Sequence, residues 1–500
     1  MDAFLSATAH ILTPAPLFWC FLGVTLGAVV GAIPGLSGSM LITMTVPLTF
    51  FMGSYYDALI LLVAMYVGSV SGGLVSATLL RMPGTPASVM TTLDGYPMAQ
   101  RGEAGRALGL GITASFVGGL ISWIFLITLS PTLAVWATYF GPWEYFTMVL
   151  MALVLIASLS QGSMVKGLLA GFLGMLASMP GVDPSTGMLR LTFGFDSWAG
   201  GFNLLPVLLG VFVVSQVLKY IIDAERPVMR ITASNKGIFM SLADWKRQAV
   251  NLIRSSVIGT WIGILPGIGA SIGSICAYTA AKNLSKTPEK FGTGCEDGVV
   301  ASEAANNATI GGALVPLVTM GIPGSVIDAI LIGALLMHNL QPGPLLFVTN
   351  PEVPYTIIST HLIANFMMLG VMLLSVKWMS KLILVPTAYL MPIILMFCLI
   401  GSYSLQNRPF DVWVTIAFGV IGFVLEKIRV PLAPFVIGFI LAVLAESELR
   451  SGLMASAGSI EPLFTRPVAA LFLAVSVIML IWSFWGEWRG ARLRKRDLIE

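Results

Sequence analysis

Four of the Pro-Gly dipeptides in this chain interrupt or border apolar stretches, and each is followed by small hydroxyl residues. They are Pro34-Gly35 with Ser37 and Ser39, Pro83-Gly84 with Thr85 and Ser88, Pro266-Gly267 with Ser271, and Pro323-Gly324 with Ser325. A Pro-Gly break frees backbone groups that a continuous helix would pair, and in hydrocarbon those groups need protein, water or a ligand. Free N–H groups opening the next half-helix favour an anion, whereas free carbonyls before the break favour Na+ or a hydronium-like ion. The neighbouring hydroxyls are of the type that hydrogen-bonds a carboxylate. The expected substrate-binding set is therefore Pro34, Gly35, Ser37, Ser39, Gly84, Thr85, Ser88, Gly267, Ser271, Asn306, Asn307, Gly324 and Ser325. Each break alone is equally well a packing kink, and Asn306 and Asn307 could instead hold helices together. Asp328, four residues after Gly324, is either a cation-coupling site or a satisfied carboxylate at a helix start.

The elements that must carry these residues are duplicated. Gly27, Gly31, Pro34, Gly35 and Ser39 fall on Gly259, Gly263, Pro266, Gly267 and Ser271 at a separation of 232 residues. Pro83-Gly84-Thr85 falls on Pro323-Gly324-Ser325 at 240, which implies a connector eight residues longer in the second half. Matched breaks in two halves of an apolar chain are the pattern of a transporter whose site lies where two repeats meet. The expected fold is an all-α polytopic membrane protein with two repeats, inverted in topology, with broken or re-entrant helices and 11 to 13 crossings.

Composition fixes the class. The chain has 500 residues, 56% hydrophobic and 10% charged, with a mean hydropathy of +0.89, far more apolar than a soluble core absorbs. The reading divides it into 1–222, a first membrane repeat with scaffold helices; 223–254, a basic cytoplasmic linker; 255–488, a second repeat; and 489–500, a basic cytoplasmic tail. Basic residues in the linker and tail should face the cytoplasm, and an inverted repeat then puts the N-terminus outside. Thr91–Arg106 reads as a polar connector, and 180–202 as an ordered external loop. Met40–Met52 is too short to cross, and spans are expected at 327–348 and 355–376 among others. Glu303 and Glu144 are expected at helix ends. The four cysteines lack metal-ligand spacing, no cofactor is expected beyond the coupling ion, and a net charge of +3 without a basic patch argues against nucleic acid.

Two strings resemble enzyme motifs. Gly35-Leu36-Ser37-Gly38 looks like the nucleophile signature of rhomboid proteases, and Gly269-Ala270-Ser271-Ile272-Gly273 fits the hydrolase elbow but lacks a preceding strand. The repeat mate of Ser37 is Gly269, so the site asks for smallness rather than a nucleophile. No phosphate-binding P-loop occurs. The chain is not expected to be an enzyme; a passive carboxylate channel, or an exporter working without a binding protein, stands as the alternative to a transporter, with an intramembrane serine hydrolase more remote.

Jointly, Pro34–Gly38, Pro83–Ser88, Leu93-Asp94-Gly95-Tyr96-Pro97, Glu303–Asn307, Gly321–Ser325 and Leu340-Gln341-Pro342-Gly343-Pro344 resemble the large membrane subunit of tripartite tricarboxylate transporters, over about residues 20–470. The resemblance implies a symporter subunit of the bacterial inner membrane. It implies as partners a small four-helix membrane subunit and a periplasmic binding protein that delivers a carboxylate, with Na+ or H+ as coupling ion. Ser37 stands where many relatives are expected to carry Gly, so no single substrate is implied.

Overall fold

The computed structural model describes residues 2–159, 163–183, 186–222, 237–267, 269–382, 387–404 and 406–496. Helices dominate. The strands among the described residues are Gly181–Val182 and Leu189–Arg190, an antiparallel pair within the expected loop 180–202. Eight helices in the described part are long and apolar enough to span a bilayer: Pro14–Ala32, Tyr55–Leu80, Ala104–Ala137, Leu204–Ile222, Glu352–Met379, Pro409–Lys427, Leu432–Ala455 and Pro467–Trp485. Five shorter apolar helices, Gly38–Thr49 and Val326–Met337 among them, accompany these. The chain is a multi-pass membrane protein.

Three sequence expectations are corrected. Residues 223–236, with Arg226, Arg230 and Lys236, lie outside the described residues, as does the end of the tail at 497–500. From Leu242 the remainder of the expected linker is helical. Ser241 caps a helix, Leu242–Ile264, through a reciprocal box with Asp244, so Leu242–Arg254 are the polar opening turns of the helix that leads to the third break. Thr91–Arg106 likewise contains a mostly buried helix, Thr91–Gln100, because its polar groups are bonded inside the protein. The apolar run 327–348 is a helix only over Val326–Met337, where His338 ends it.

Close packing follows the duplicated glycines. A Cβ on Gly27 would sit 2.4 Å from the Met65 carbonyl oxygen, and one on Gly259 2.3 Å from that of Ala305. Gly31 approaches the Ser69 carbonyl as Gly263 approaches that of Thr309, and Gly72 approaches Ala28 as Gly312 approaches Thr260. Each pair of contacts is related by the separations of 232 and 240. Helices in lipid gain little from apolar burial against one another, so backbone proximity of this kind carries their association. The long helix of each half is enclosed: nearly every residue of Tyr55–Leu80 and of Glu296–Met320 is buried.

Candidate functional site at the four helix breaks

Each break has its own local cause. Pro14–Ala32 ends as Gly35 takes φ +87°, and Ser37 then caps Gly38–Thr49, its Oγ accepting from the Met40 N–H at 3.1 Å and lying 2.9 Å from Ser39 Oγ. Tyr55–Leu80 closes on Arg81 at φ 55°. Gly84 then wedges against Gly31, where a Cβ would lie 2.0 Å from the carbonyl oxygen. The buried Thr85 and Ser88 hydroxyls, 3.2 Å apart, rest on Gly73. In the second half Gly267, at φ +72°, lies so close to Ile156 that a Cβ would be 1.6 Å from its Cγ1, and half-buried Ser271 follows in Gly269–Leu284. Glu296–Met320 closes on Gly321 at φ 69°, Gly324 packs on Ala313, and Ser325 caps Val326–Met337 by accepting from the Asp328 N–H at 3.3 Å.

The breaks meet crosswise. Val326–Met337 of the second half packs against Gly38–Thr49 of the first, and Gly269–Leu284 packs against Pro86–Ser88. At the first crossing Gly38 lies against Ser69 and near Ile327. Tyr66 and Ser325 hydroxyls are 3.0 Å apart. Between the two long helices Ser71 donates to Asn307 Oδ1 at 2.6 Å, while Asn307 Nδ2 donates to the Glu303 carbonyl.

Asn307 therefore serves helix packing. Its neighbour differs: Asn306 is fully buried, and neither its Oδ1 nor its Nδ2 makes a well-formed hydrogen bond, the Glu303 carboxylate being its polar neighbour. The carboxylate of fully buried Asp328 likewise makes no well-formed hydrogen bond, with the Ser325 hydroxyl and the N–H groups of Ser325 and Asp328 as its polar neighbours. A buried polar group without a well-formed hydrogen bond costs up to roughly 1–3 kcal/mol, more when charged, so two such residues beside the breaks mark where a ligand would offset a built-in cost. Pro34 and Gly35 lie at the open side of the first break; no atom comes within 4 Å of a Cβ placed on Gly35.

Three residues of this region were not singled out as site residues by type and spacing. Tyr66 is an ordinary aromatic in an apolar run, notable only because it aligns with Asn306. Glu303 stands inside its helix rather than at an end. It is fully buried, accepting from Thr91 Oγ1 at 2.5 Å and Ser115 Oγ at 3.3 Å. A carboxylate within a run of small residues was the available signal. Asp94 lay in a motif whose partners are 184 or more residues away. Glu144 does open its helix, paired with Arg466 at 2.8 Å.

A family model described as "Tripartite tricarboxylate transporter TctA family" matches residues 17–437. The chain belongs to that family. It is 36% identical over 473 residues to an uncharacterized 52.8 kDa protein in the TAR-I ttuC' 3' region of Agrobacterium vitis, covering 94% of this chain and 93% of that one. It is 35% identical over 234 residues to an uncharacterized protein in the TAR-II ttuC' 3' region of the same organism, covering 47% of this chain and 97% of that one. No solved structure matches.

In this TctA-family chain the two halves are also clamped at the polar end of the long helices. Asp94 is fully buried and accepts from Tyr278 Oη at 2.8 Å and from the N–H groups of Gly292, Gly294 and Cys295 at 2.9, 2.9 and 2.7 Å. Nearby, Arg106 grips Asp244 through two hydrogen bonds and reaches Glu296, which also pairs with Arg247. Arg106, together with the Ser241 hydroxyl and N–H, holds the Asp244 carboxyl well below the usual carboxylate range. A depressed folded value means that the contribution is present above the unfolded pKa of about 3.9 and is lost as pH falls through the folded value. Arg106→Ala should lower the melting temperature of the purified chain by several degrees, with the difference unchanged from pH 8 to pH 5, as a thermal unfolding series would measure.

Proposed function

We propose that the chain is the large permease subunit of a binding-protein-dependent tripartite transporter, taking up an organic tri- or dicarboxylate by cation-coupled secondary transport. The observation that carries this reading is the pair of poorly satisfied buried polar residues, Asn306 and Asp328, beside duplicated helix breaks in a chain of the TctA family. Neutral donors and half-helix starts suit a carboxylate, and a buried, poorly satisfied carboxylate suits the coupling Na+ or H+. The small four-helix membrane subunit and the periplasmic binding protein are the partners, in the bacterial inner membrane, with the basic C-terminal tail in the cytoplasm. The two halves are inverted repeats, and one moves against a scaffold.

The test is uptake into proteoliposomes containing this chain and its small subunit, with the binding protein and a panel of carboxylates outside. Saturable uptake that needs both an imposed cation gradient and the binding protein is expected. Flux that persists without the binding protein and does not saturate would establish the channel instead, and no carboxylate flux would sink the reading.

The hydrogen bonds of the residues concerned lend the hydrolase alternative no support. Ser37 is a helix cap; His338 lies 3.3 Å from Thr49 Oγ1, and His361 3.4 Å from Ser122 Oγ. Ser37→Ala should cost about 1 kcal/mol, the worth of a cap, and leave most uptake intact. An uptake assay that finds Ser37→Ala dead would contradict this.

A further inference from the structure

Under the separations that relate the packing of the two halves, the crossing that joins Tyr66 to Ser325 has a counterpart. Tyr66 corresponds to Asn306, Ser325 to Thr85, and Asp328 to Ser88. Pro86–Ser88 does pack against Glu296–Met320, as Val326–Met337 packs against Tyr55–Leu80. The chemistry at the two crossings is opposite. At the first, a phenol spans the gap and reaches the Ser325 hydroxyl, and the buried carboxylate of Asp328 stands in the first turn of the following half-helix. At the second, the shorter Asn306 makes no well-formed hydrogen bond, its polar neighbour being Glu303, and the break that packs on its helix carries the neutral Thr85 and Ser88 hydroxyls, which contact one another and Gly73.

Resting on the transport reading above, we propose that the two crossings divide the cargo. The carboxylate of the substrate is taken at Asn306, Thr85 and Ser88, and a monovalent cation is taken at Asp328, Ser325 and Tyr66. Three physical points support the division. Asp328 already sits at the positive end of its half-helix, so a substrate anion there would meet a buried like charge at close range. Among side chains, the oxygen set of a carboxylate, a serine hydroxyl and a phenol suits a hard cation or a proton, and the Asp328 charge outweighs the donors there for an anion. Asn306, smaller than the Tyr66 it aligns with, brings an uncharged amide NH2 donor to the second crossing, the chemistry that a carboxylate would use. The twofold duplication of the breaks thus does not give equivalent sites, and of the expected substrate set Gly324 and Ser325 are reassigned to the cation.

The division is tested with citrate as probe, by equilibrium binding to the chain in nanodiscs with its small subunit and by uptake into proteoliposomes. Thr85→Val and Asn306→Tyr should each weaken citrate binding by at least about 10-fold, the scale of one charge-assisted hydrogen bond. Asp328→Asn and Ser325→Ala should show the opposite split: citrate affinity changed by less than about 3-fold, with gradient-driven accumulation reduced by at least about 10-fold. An imposed Na+ gradient at equal pH and a pH gradient without Na+ separate the two cation sources. Binding lost in Ser325→Ala and retained in Thr85→Val and Asn306→Tyr would overturn the division while leaving the transport reading intact. If no carboxylate in the panel binds or moves with the unaltered chain, the transport reading falls and the division with it. Thr85→Val is close to isosteric, so its result stands even where Asn306→Tyr disturbs folding.

Discussion

Gly84→Ala is expected to abolish uptake and to leave little monodisperse protein in detergent, whereas Gly35→Ala should be obtained in good yield. Both glycines belong to Pro-Gly breaks, yet they are held differently. The added methyl at Gly84 would sit 2.0 Å from the Gly31 carbonyl oxygen and 2.5 Å from Ser76 Oγ, and the first of these is backbone that cannot rotate away. Gly31 is itself pinned, since a Cβ there would lie 2.1 Å from the Ser69 carbonyl oxygen, so relief requires moving two packed helices. Overpacking that forces backbone shifts costs typically about 1–3 kcal/mol and occasionally more, and a methyl lodged between two pinned helices belongs at the upper end. Gly35 has a left-handed φ of +87° but open space around it, so alanine there carries only the conformational cost, about 1 kcal/mol. Gly324→Ala should fall between them, because its closest backbone atoms, Ala313 Cα at 2.8 Å and the Gly263 carbonyl oxygen at 2.9 Å, stand farther off than the 2.0 Å at Gly84. The order Gly84, Gly324, Gly35 in loss of folded yield by size-exclusion fluorescence tests the account; equal yields for Gly84→Ala and Gly35→Ala would contradict it.

What the sequence disclosed and what it hid divide along a physical line. Breaks, spans and the duplication are local or periodic, and Pro34-Gly35 or Pro323-Gly324 announces itself because two residues remove helical options from the backbone. The contacts between Gly27 and Met65 and between Gly259 and Ala305 were half legible: the small residues were visible, their facing carbonyls were not. Pairings between halves were hidden. Nothing adjacent in the chain distinguishes Asn306 from Asn307, yet one makes no well-formed hydrogen bond and the other is spent on Ser71, a difference fixed by which way each faces on a helix buried all round. The helical character of Leu242–Arg254 is hidden because its polar residues have partners, Asp297 for Gln248 and Arg106 for Asp244, and a helix end satisfied by ion pairs looks like a plain linker when only hydropathy is counted. That of Thr91–Gln100 is hidden for the same reason, with Asp94 as its center.

Asp94→Ala should therefore be the most damaging substitution outside the breaks. The side chain is 0% exposed and answers four donors, three of them backbone N–H groups of the loop that leads into Glu296–Met320. Alanine would leave Tyr278 Oη and three amides without acceptors in a space too small for a ready replacement, and each orphaned group costs roughly 1–3 kcal/mol. Even at the lower end the sum, about 4 kcal/mol, is a large share of the stability of an ordinary domain. Asp94→Asn separates shape from charge. Its Oδ1 can still accept from the three amides, and the phenol of Tyr278 can turn to accept from the new NH2. Its hydrogens, however, would crowd Gly298, where a Cβ would already stand 2.1 Å from Asp94 Oδ2. Asp94→Asn should thus lower the melting temperature less than Asp94→Ala but more than Tyr278→Phe, which removes one donor and leaves the carboxylate bonded to the loop. Because the clamp joins Thr91–Gln100 of the first half to the loop before Glu296 of the second, its loss should also loosen Thr91, which hydrogen-bonds Glu303 one turn before Asn306. Citrate binding by Asp94→Asn should accordingly weaken alongside its stability, and a variant that melts early yet binds as well as the unaltered chain would show that the clamp does not support the site.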